Sequence, residues 1–396
     1  MANTMSVYGT IPSKEICKHS PQRIDIQISN GNAPYVSIEL KPFPITFSPG
    51  DVNNLNDRFI GILEDLRLDV QKKGIDLTGY NHDYLAQLRN IGRAAYNKIL
   101  PEEAHRYIKD LETRAREKKR NLSLNFIIPS EFSLFWEMIY TGTPFKIEQD
   151  QFWGFRYPIG RIYWSLERKE DLVHLQEGVF SAIHNKLKYS RQEIEEISKF
   201  LAVLSQDLGL NLAIKLLDEL IPANSLSFEK MVELFHSEEF RYGMVHFACH
   251  HENPEQASAT QAYLSITSHE QELDISLEQI LMWKGFGFCN QPLVFLNACE
   301  SATPGHLLQT SSFPYDMLNF GAAGVIATAC TVPDSFASRF AAEFYRRLFK
   351  KPSANKPIYI SESLWETRRY FLEKYNNPLG LAYSLHAVVD QQLIFN

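Results

Sequence analysis

A chain of 396 residues has room for two domains, or for one large domain with an added lobe. Hydrophobic residues make up 44% and charged residues 22%, which is the balance of a globular protein and excludes a disordered or fibrous chain. A net charge of −7 argues against a nucleic-acid surface spread over the molecule, and no apolar run approaches the ~20 residues needed to cross a bilayer.

The N-terminus, MANTMSVYGTIPSKEICKHS, lacks the basic start and apolar core of a signal peptide. In RIDIQIS, Ile24, Ile26 and Ile28 alternate, and in YVSIEL so do Val36, Ile38 and Leu40. With Asn30-Gly31 between them, the two stretches predict a β-hairpin. Leu55, Phe59, Ile62, Leu66 and Val70 then form one helical apolar stripe. A second helix is predicted from about Asp83 to Leu100, and a third from Pro101, a favoured first helical residue. The basic run RAREKKR, Arg114 to Arg120, reads as the solvated end of that third helix, where cations suit the macrodipole.

From Asn121 onward strands alternate with helices. LSLNFIIP predicts a buried strand, and FSLFWEMIY leads from it into a helix or turn. SRQEIEEISKFLAVL and SFEKMVELFHSEEF are amphipathic helices, each opened by a serine suited to N-capping. The stretch Asn185 to Gln192 before the first of them reads as an exposed loop. Three apolar strands follow, YGMVHFACHH, PLVFLNAC and GAAGVIATAC, and then the helices of SFASRFAAEFYRRLFK and SESLWETRRYFLEKY. Such alternation implies an α/β fold with a mostly parallel sheet covered on both faces.

In open α/β sheets the active crevice lies outside the carboxyl ends of the strands. The three apolar strands end in Cys249-His250-His251-Glu252, Asn297-Ala298-Cys299-Glu300 and Cys330-Thr331-Val332-Pro333-Asp334. If the strands are parallel and adjacent, His250 and Cys299 meet at one edge. A histidine beside a cysteine is the minimal nucleophile–base pair, because imidazole takes the thiol proton and thiolate is the competent nucleophile. Backbone N–H groups at the strand ends can hold the developing oxyanion. Five cysteines without paired spacing point to a reducing, cytoplasmic setting, in which a cysteine that matters is catalytic rather than bridged. His246 and Cys249 read as core residues. A zinc site over Cys249, His250, His251 and Cys299 is disfavoured, since consecutive residues of a strand point to different sides. GFGF, Gly285 to Phe288, lacks the third glycine of a dinucleotide loop, and no G-x-S-x-G elbow is present. Neither a metal nor a cofactor is expected.

VHFACHHE followed by LVFLNACES, and then NFGAAGVIATACTVPD with FYRRLF, resembles the CHAT domain family of caspase-like cysteine peptidases, relatives of separase. LFWEMIY and LRNIGRAAYNKILP resemble its upstream segments, so the resemblance runs from about Leu55 to the C-terminus. It implies a caspase-like α/β fold with an N-terminal β-hairpin and helical lobe. An accessory segment would cover residues 1–52 and the CHAT domain 53–396, catalytic from 241. It further implies a cysteine endopeptidase with His250 as base and Cys299 as nucleophile, and the backbone N–H groups of His251 and Cys299 as oxyanion donors. Asp334 stands where the family's acidic residues bind a basic P1 side chain, or else caps the following helix. A protein substrate and a regulatory or activating partner are implied, with no nucleic acid and no membrane, and with bacterial defence as one setting. Two positions depart from the pattern. His251 replaces the family's glycine, and ACTVPD replaces LWPVDD. These departures favour the competing expectation, a weak or inactive module that keeps the fold and binds a partner.

Overall fold

The computed structural model describes residues 22–29, 34–80, 83–118, 120–167, 170–222, 225–252, 263–269, 271–283, 285–298, 312–351 and 357–395, with the backbone alone at 131, 250–252, 298 and 312. Strand β1 (Gln22–Ser29) pairs antiparallel with β2 (Tyr35–Ile38), Ile26 opposite Ile38 and Ile28 opposite Val36. This is the predicted hairpin, with its five alternating residues through Ile38 buried. Leu40 departs from the alternation and is 90% exposed. It and Glu39 have positive φ, 66° and 49°, and form a two-residue turn into β3 (Lys41–Pro44). Both central residues of such a turn need φ above zero to match the strand twist, so Leu40 leaves the pleat.

Helix α1 (Pro49–Lys73) opens on a capping box of Ser48 and Asp51 and buries the predicted stripe. Then come α2 (Tyr84–Ile99) and α3 (Glu102–Glu117). Pro101 stands just outside α3 as its N-cap, and Arg114 and Arg116 end the helix in solvent. LSLNFIIP forms β4 (Leu122–Ile128), a 3-10 turn at Ser130–Phe132 leads into FSLFWEMIY, which makes a second at Trp136–Met138, and α4 (Trp153–Arg156) leads to β5 (Ile159–Tyr163). β4 runs parallel to both β1 and β5, in a sheet of order β3-β2-β1-β4-β5. The N-terminal hairpin is thus built into the same sheet as the strands that follow it.

The second half begins with β6 (Leu172–Leu175), β7 (Gly178–Ile183), α5 (Ser190–Leu208), β8 (Ala213–Leu216), α6 (Leu217–Leu220) and α7 (Phe228–His236). Ser227 caps α7 by accepting from the Lys230 amide. Ser190, expected to cap α5, is instead its first helical residue. Its hydroxyl donates to the carbonyls of His184 and Leu187, and Tyr189 holds the cap position. The loop before α5 is only half exposed, because His184, Leu187 and Ser190 are buried.

Next come β9 (Met244–Glu252), the hairpin of β10 (Tyr263–Ser268) and β11 (Gln271–Ser276), α8 (Leu277–Met282), β12 (Leu293–Ala298), α9 (Ser312–Asn319) and β13 (Gly324–Thr328). The chain closes with α10 (Asp334–Leu348), β14 (Ile358–Tyr359), α11 (Ile360–Tyr375), β15 (Tyr383–His386) and β16 (Gln392–Phe395). The main sheet runs β8-β7-β9-β12-β13-β15, with the β10–β11 hairpin also joined to β9, and is parallel except for β15 and that hairpin. Taking β7 as first, its parallel part has the doubly wound order 2-1-3-4-5, which places a switch point between β7 and β9. Helices α5 and α10 cover the face that carries His246 and Phe295, while α7 packs Phe235 against Phe180 on the other. The expected α/β class and mostly parallel sheet are what the structure has.

Substitutions in the first sheet test its register. Ile26→Ala should lower stability by about 2–5 kcal/mol, the scale of a truncated core residue. Leu40→Ala should change it by less than about 0.5 kcal/mol. Urea unfolding of both variants measures the difference, and equal losses would mean that Leu40 is a core residue after all.

Candidate active site

β9 and β12 are adjacent and parallel, in register from Leu293 opposite Met244 to Ala298 opposite Cys249. The next residue of β9 is His250, and the residue after Ala298 is Cys299. Cys299 lies outside the described residues, and His250 and His251 are described by backbone only. Both histidines fall within β9. His251, at the family's glycine position, is therefore in extended backbone, which any residue adopts without strain.

On its other side β9 changes partner near His250. It pairs with β7 as far as Ile183 opposite Ala248, and with β10 from Ser265 opposite His250. His184 fills the junction, its amide donating to the Ala248 carbonyl at 2.7 Å. Its buried ring bonds Glu272 at 3.1 Å. The same carboxylate accepts from Ser265 at 3.0 Å and from Lys186 at 3.0 Å. The hydrogen bonds from His184, Lys186 and Ser265 pull the Glu272 carboxyl down to about 2. Those from His184 and Lys186 fasten the β10–β11 hairpin to the segment after β7, which the His184 amide in turn holds to β9.

Beneath the strand exits lies a polar cluster in which no residue is more than 2% exposed. Asn297, near the end of β12, donates through Nδ2 to Glu193 Oε1 at 2.7 Å and accepts at Oδ1 from the Tyr383 hydroxyl at 2.8 Å. His246 Nε2 stands 2.8 Å from the same Glu193 oxygen, too bent for a hydrogen bond, and its Nδ1 bonds the Tyr345 hydroxyl at 3.1 Å. His246 is thus a buried residue, as the sequence suggests, with a carboxylate beside it. Glu193 was not among the expected site residues. Its signal was present: it stands four residues before Ile197 on the apolar stripe of α5, which continues through Leu201 and Leu204, and a charge on a buried stripe needs a partner.

Asp334 is the first residue of α10, with Pro333 as the cap. Its carboxylate accepts the Tyr189 amide at 3.0 Å and so ties the β13–α10 loop to the start of α5. Burial pushes this carboxyl up, and the charge of Glu193 adds to the effect against the Tyr189 and Lys188 amides. The same loop leans on α1, where Thr331 donates to Glu64 and Arg67 pairs with Glu64 at 2.6 Å. Cys249 and Cys330 are fully buried, and burial pushes both thiols far above their ordinary range, which makes them inert. Cys289 is exposed, with its sulfur 3.5 Å from His236 Nδ1. That nitrogen also lies 3.2 Å from the Gly287 carbonyl, to which it must donate, so it offers this thiol no base.

Among the described residues, no helix is long and apolar enough to cross a membrane. The family model for the CHAT domain matches residues 111–376, more than half of the chain. No curated protein matches it in sequence. Among solved structures it is similar to the Saccharomyces cerevisiae separase–securin complex, at 12% identity and a TM-score of 0.40. That match covers 89% of this chain and only 23% of the separase-complex chain. It is also similar to the complex of Porphyromonas gingivalis RgpB pro- and mature domains, at 12% identity and a TM-score of 0.42, over 88% of this chain and 78% of that one. The Arg-specific cysteine proteinase gingipain R is matched at 12% identity and a TM-score of 0.44, over 97% and 80%.

The Glu272 clamp has a defined pH range. Its folded pKa lies below the ordinary value of 4.5, so the clamp contributes in full above about 4.5 and is lost as the pH falls toward 2. The carboxylate is half exposed, which limits the contribution to roughly 1 kcal/mol. Amide-exchange protection of the β10–β11 hairpin should fall across that range in the wild type. In Glu272→Gln it should start lower and stay flat; a wild-type profile in that variant would remove the clamp.

Proposed function

The chain belongs to the CHAT domain family, and from that premise we propose that it is a cysteine endopeptidase acting through a His250–Cys299 pair. The observation that carries this reading is the parallel β9–β12 ladder, whose last described pair stands one residue before both groups. His250 takes the Cys299 thiol proton, and the thiolate attacks a peptide carbonyl of a protein substrate. The backbone N–H groups of His251 and Cys299 hold the oxyanion, and His250 protonates the departing amine before water cleaves the thioester. The extended backbone at His251 supports this role for its N–H in place of the family's glycine, and weakens the case for a non-catalytic module. Activity is regulated by a partner protein.

In the same reading Asp334 recognises a basic P1 residue. Its tie to the Tyr189 amide leaves the carboxylate other lone pairs for a guanidinium. Asp334→Asn should reduce cleavage after Arg more than cleavage after other residues, and substrate profiling that shows an acidic or large apolar P1 would remove the assignment.

Labelling with an electrophilic peptide probe, mapped by mass spectrometry, tests the pair. Cys299 should carry the label, and Cys299→Ala should abolish turnover, while Cys249→Ser and Cys330→Ser keep it. His250→Ala should lose roughly 10²–10⁴-fold, and His251→Gly should retain activity. Full turnover in Cys299→Ala would end the peptidase reading.

A further inference from the structure

The cluster around Glu193 is unusual in its composition. An apolar residue at this position of the α5 stripe would pack with Ile197, Leu201 and Leu204 at no electrostatic cost, whereas a buried carboxylate must recover a large desolvation penalty. What it receives is the Asn297 amide and the neighbouring His246 ring. Those two partners sit on the two strands that deliver the proposed pair. Asn297 stands two residues before Cys299, and His246 four residues before His250. The outer members, Tyr383 on β15 and Tyr345 on α10, hold Asn297 and His246 from the far side.

We propose that Glu193 is a positioning residue of the peptidase: its carboxylate fixes β12 through Asn297 and stands against β9 at His246, and sets a negative charge behind the strand exits. The proposal rests on the His250–Cys299 reading above. The groups near Glu193 are His246 from β9, Asn297 from β12, Tyr345 and Asp334 from α10, and, through Asn297, Tyr383 from β15, while Cys249, on the opposite face of β9, feels its charge through the sheet. Its charge opposes ionisation of Cys249, Tyr345 and Asp334 alike, so its field extends around the exits of β9 and β13. A negative charge so placed favours a protonated imidazole and opposes a thiolate. Removing it should lower the apparent pKa values of both members of the pair.

The test uses the full chain and a fluorogenic peptide, with pH profiles of kcat/KM. Glu193→Gln keeps an oxygen for Asn297 and loses the charge. Its kcat should fall roughly 10- to 100-fold, the scale of a small misplacement of reacting groups, with KM little changed. Both limbs of the pH profile should move to lower pH by about half a unit or more. A purely structural role lowers the melting temperature and leaves the limbs in place, and that result overturns the proposal. Tyr383→Phe removes only the hydroxyl that bonds Asn297. It should lower kcat by roughly 2- to 10-fold without moving the limbs. If Glu193→Gln does not fold, this second variant decides, and wild-type kcat in it overturns the proposal. Cys299→Ala separates the two claims. Activity in Cys299→Ala sinks the peptidase reading itself, while an inactive Cys299→Ala beside a wild-type profile in Glu193→Gln sinks the Glu193 role alone.

Discussion

Parallel strands exchange evenly spaced, slanted hydrogen bonds, so once Leu293 stands opposite Met244 every later pair follows, up to Ala298 opposite Cys249. That register decides which residues leave β9 and β12 side by side. A slip of one residue would exchange the two faces of the sheet and bring Asn297 out of reach of Glu193. Apolar burial alone does little to oppose such a slip, because Val245, Phe247, Leu293, Val294, Phe295 and Leu296 are buried on both faces. The contacts of Glu193 with Asn297 and His246 are satisfied in one register only. Hydrophobic burial supplies the stability of the ladder, and the buried polar cluster supplies its uniqueness.

A second buried charge cluster plays the corresponding part where the two sheets meet. Glu137 pairs with Arg161 of β5 and, at 3.4 Å, with Arg368 of α11. Arg161 donates on to the Leu134 carbonyl and Arg368 to the Tyr383 carbonyl. Burial pulls the Arg368 guanidinium down to about 10 against the charge of Glu137. Loss of Glu137 would leave two buried guanidinium groups without their counter-charge, which is far more costly than the intact cluster is stabilising. Tyr383 belongs to both networks, offering its carbonyl to Arg368 and its hydroxyl to Asn297. The relation between the sheets is thereby carried to the end of β12.

Much of this architecture was legible in the residues. Alternation marked β1 and β2, the five residues read as the stripe of α1 are all buried though Val52, Ile60, Leu63 and Arg67 join them, and the three apolar runs form adjacent parallel strands. The unread parts have physical causes. β6, β8, β14 and β16 are two to four residues long, too short for periodicity to register. The β10–β11 hairpin carries only two alternating apolar residues per strand, Leu264 with Ile266 and Leu273 with Ile275, set among Ser265, Glu272 and Asp274, too short a pattern to stand out. Leu40 was misplaced because two consecutive positive-φ residues carried no glycine or asparagine to announce the turn. Asp334 was weighed as a pocket floor or a helix cap, whereas its observed contact is with an amide 145 positions earlier, a distance at which local signals are silent. The site was legible as an order of strands. Its supporting shell was not, since Glu193, Tyr345 and Tyr383 come together only in the fold.

The loop after β13 shows why the supporting shell extends so far back along the chain. Thr331 rests on Glu64 of α1, and Asp334 holds the amide of Tyr189 at the start of α5. Arg67, itself buried, keeps Glu64 in place. The loop that would form one wall of the proposed cleft is therefore shaped from two directions by elements that precede residue 240. β7 and β8 also precede it, and they lie in the same sheet as β9. A displacement of α1 would release Thr331, and a displacement of the α5 start would release Asp334 and move Glu193 with it.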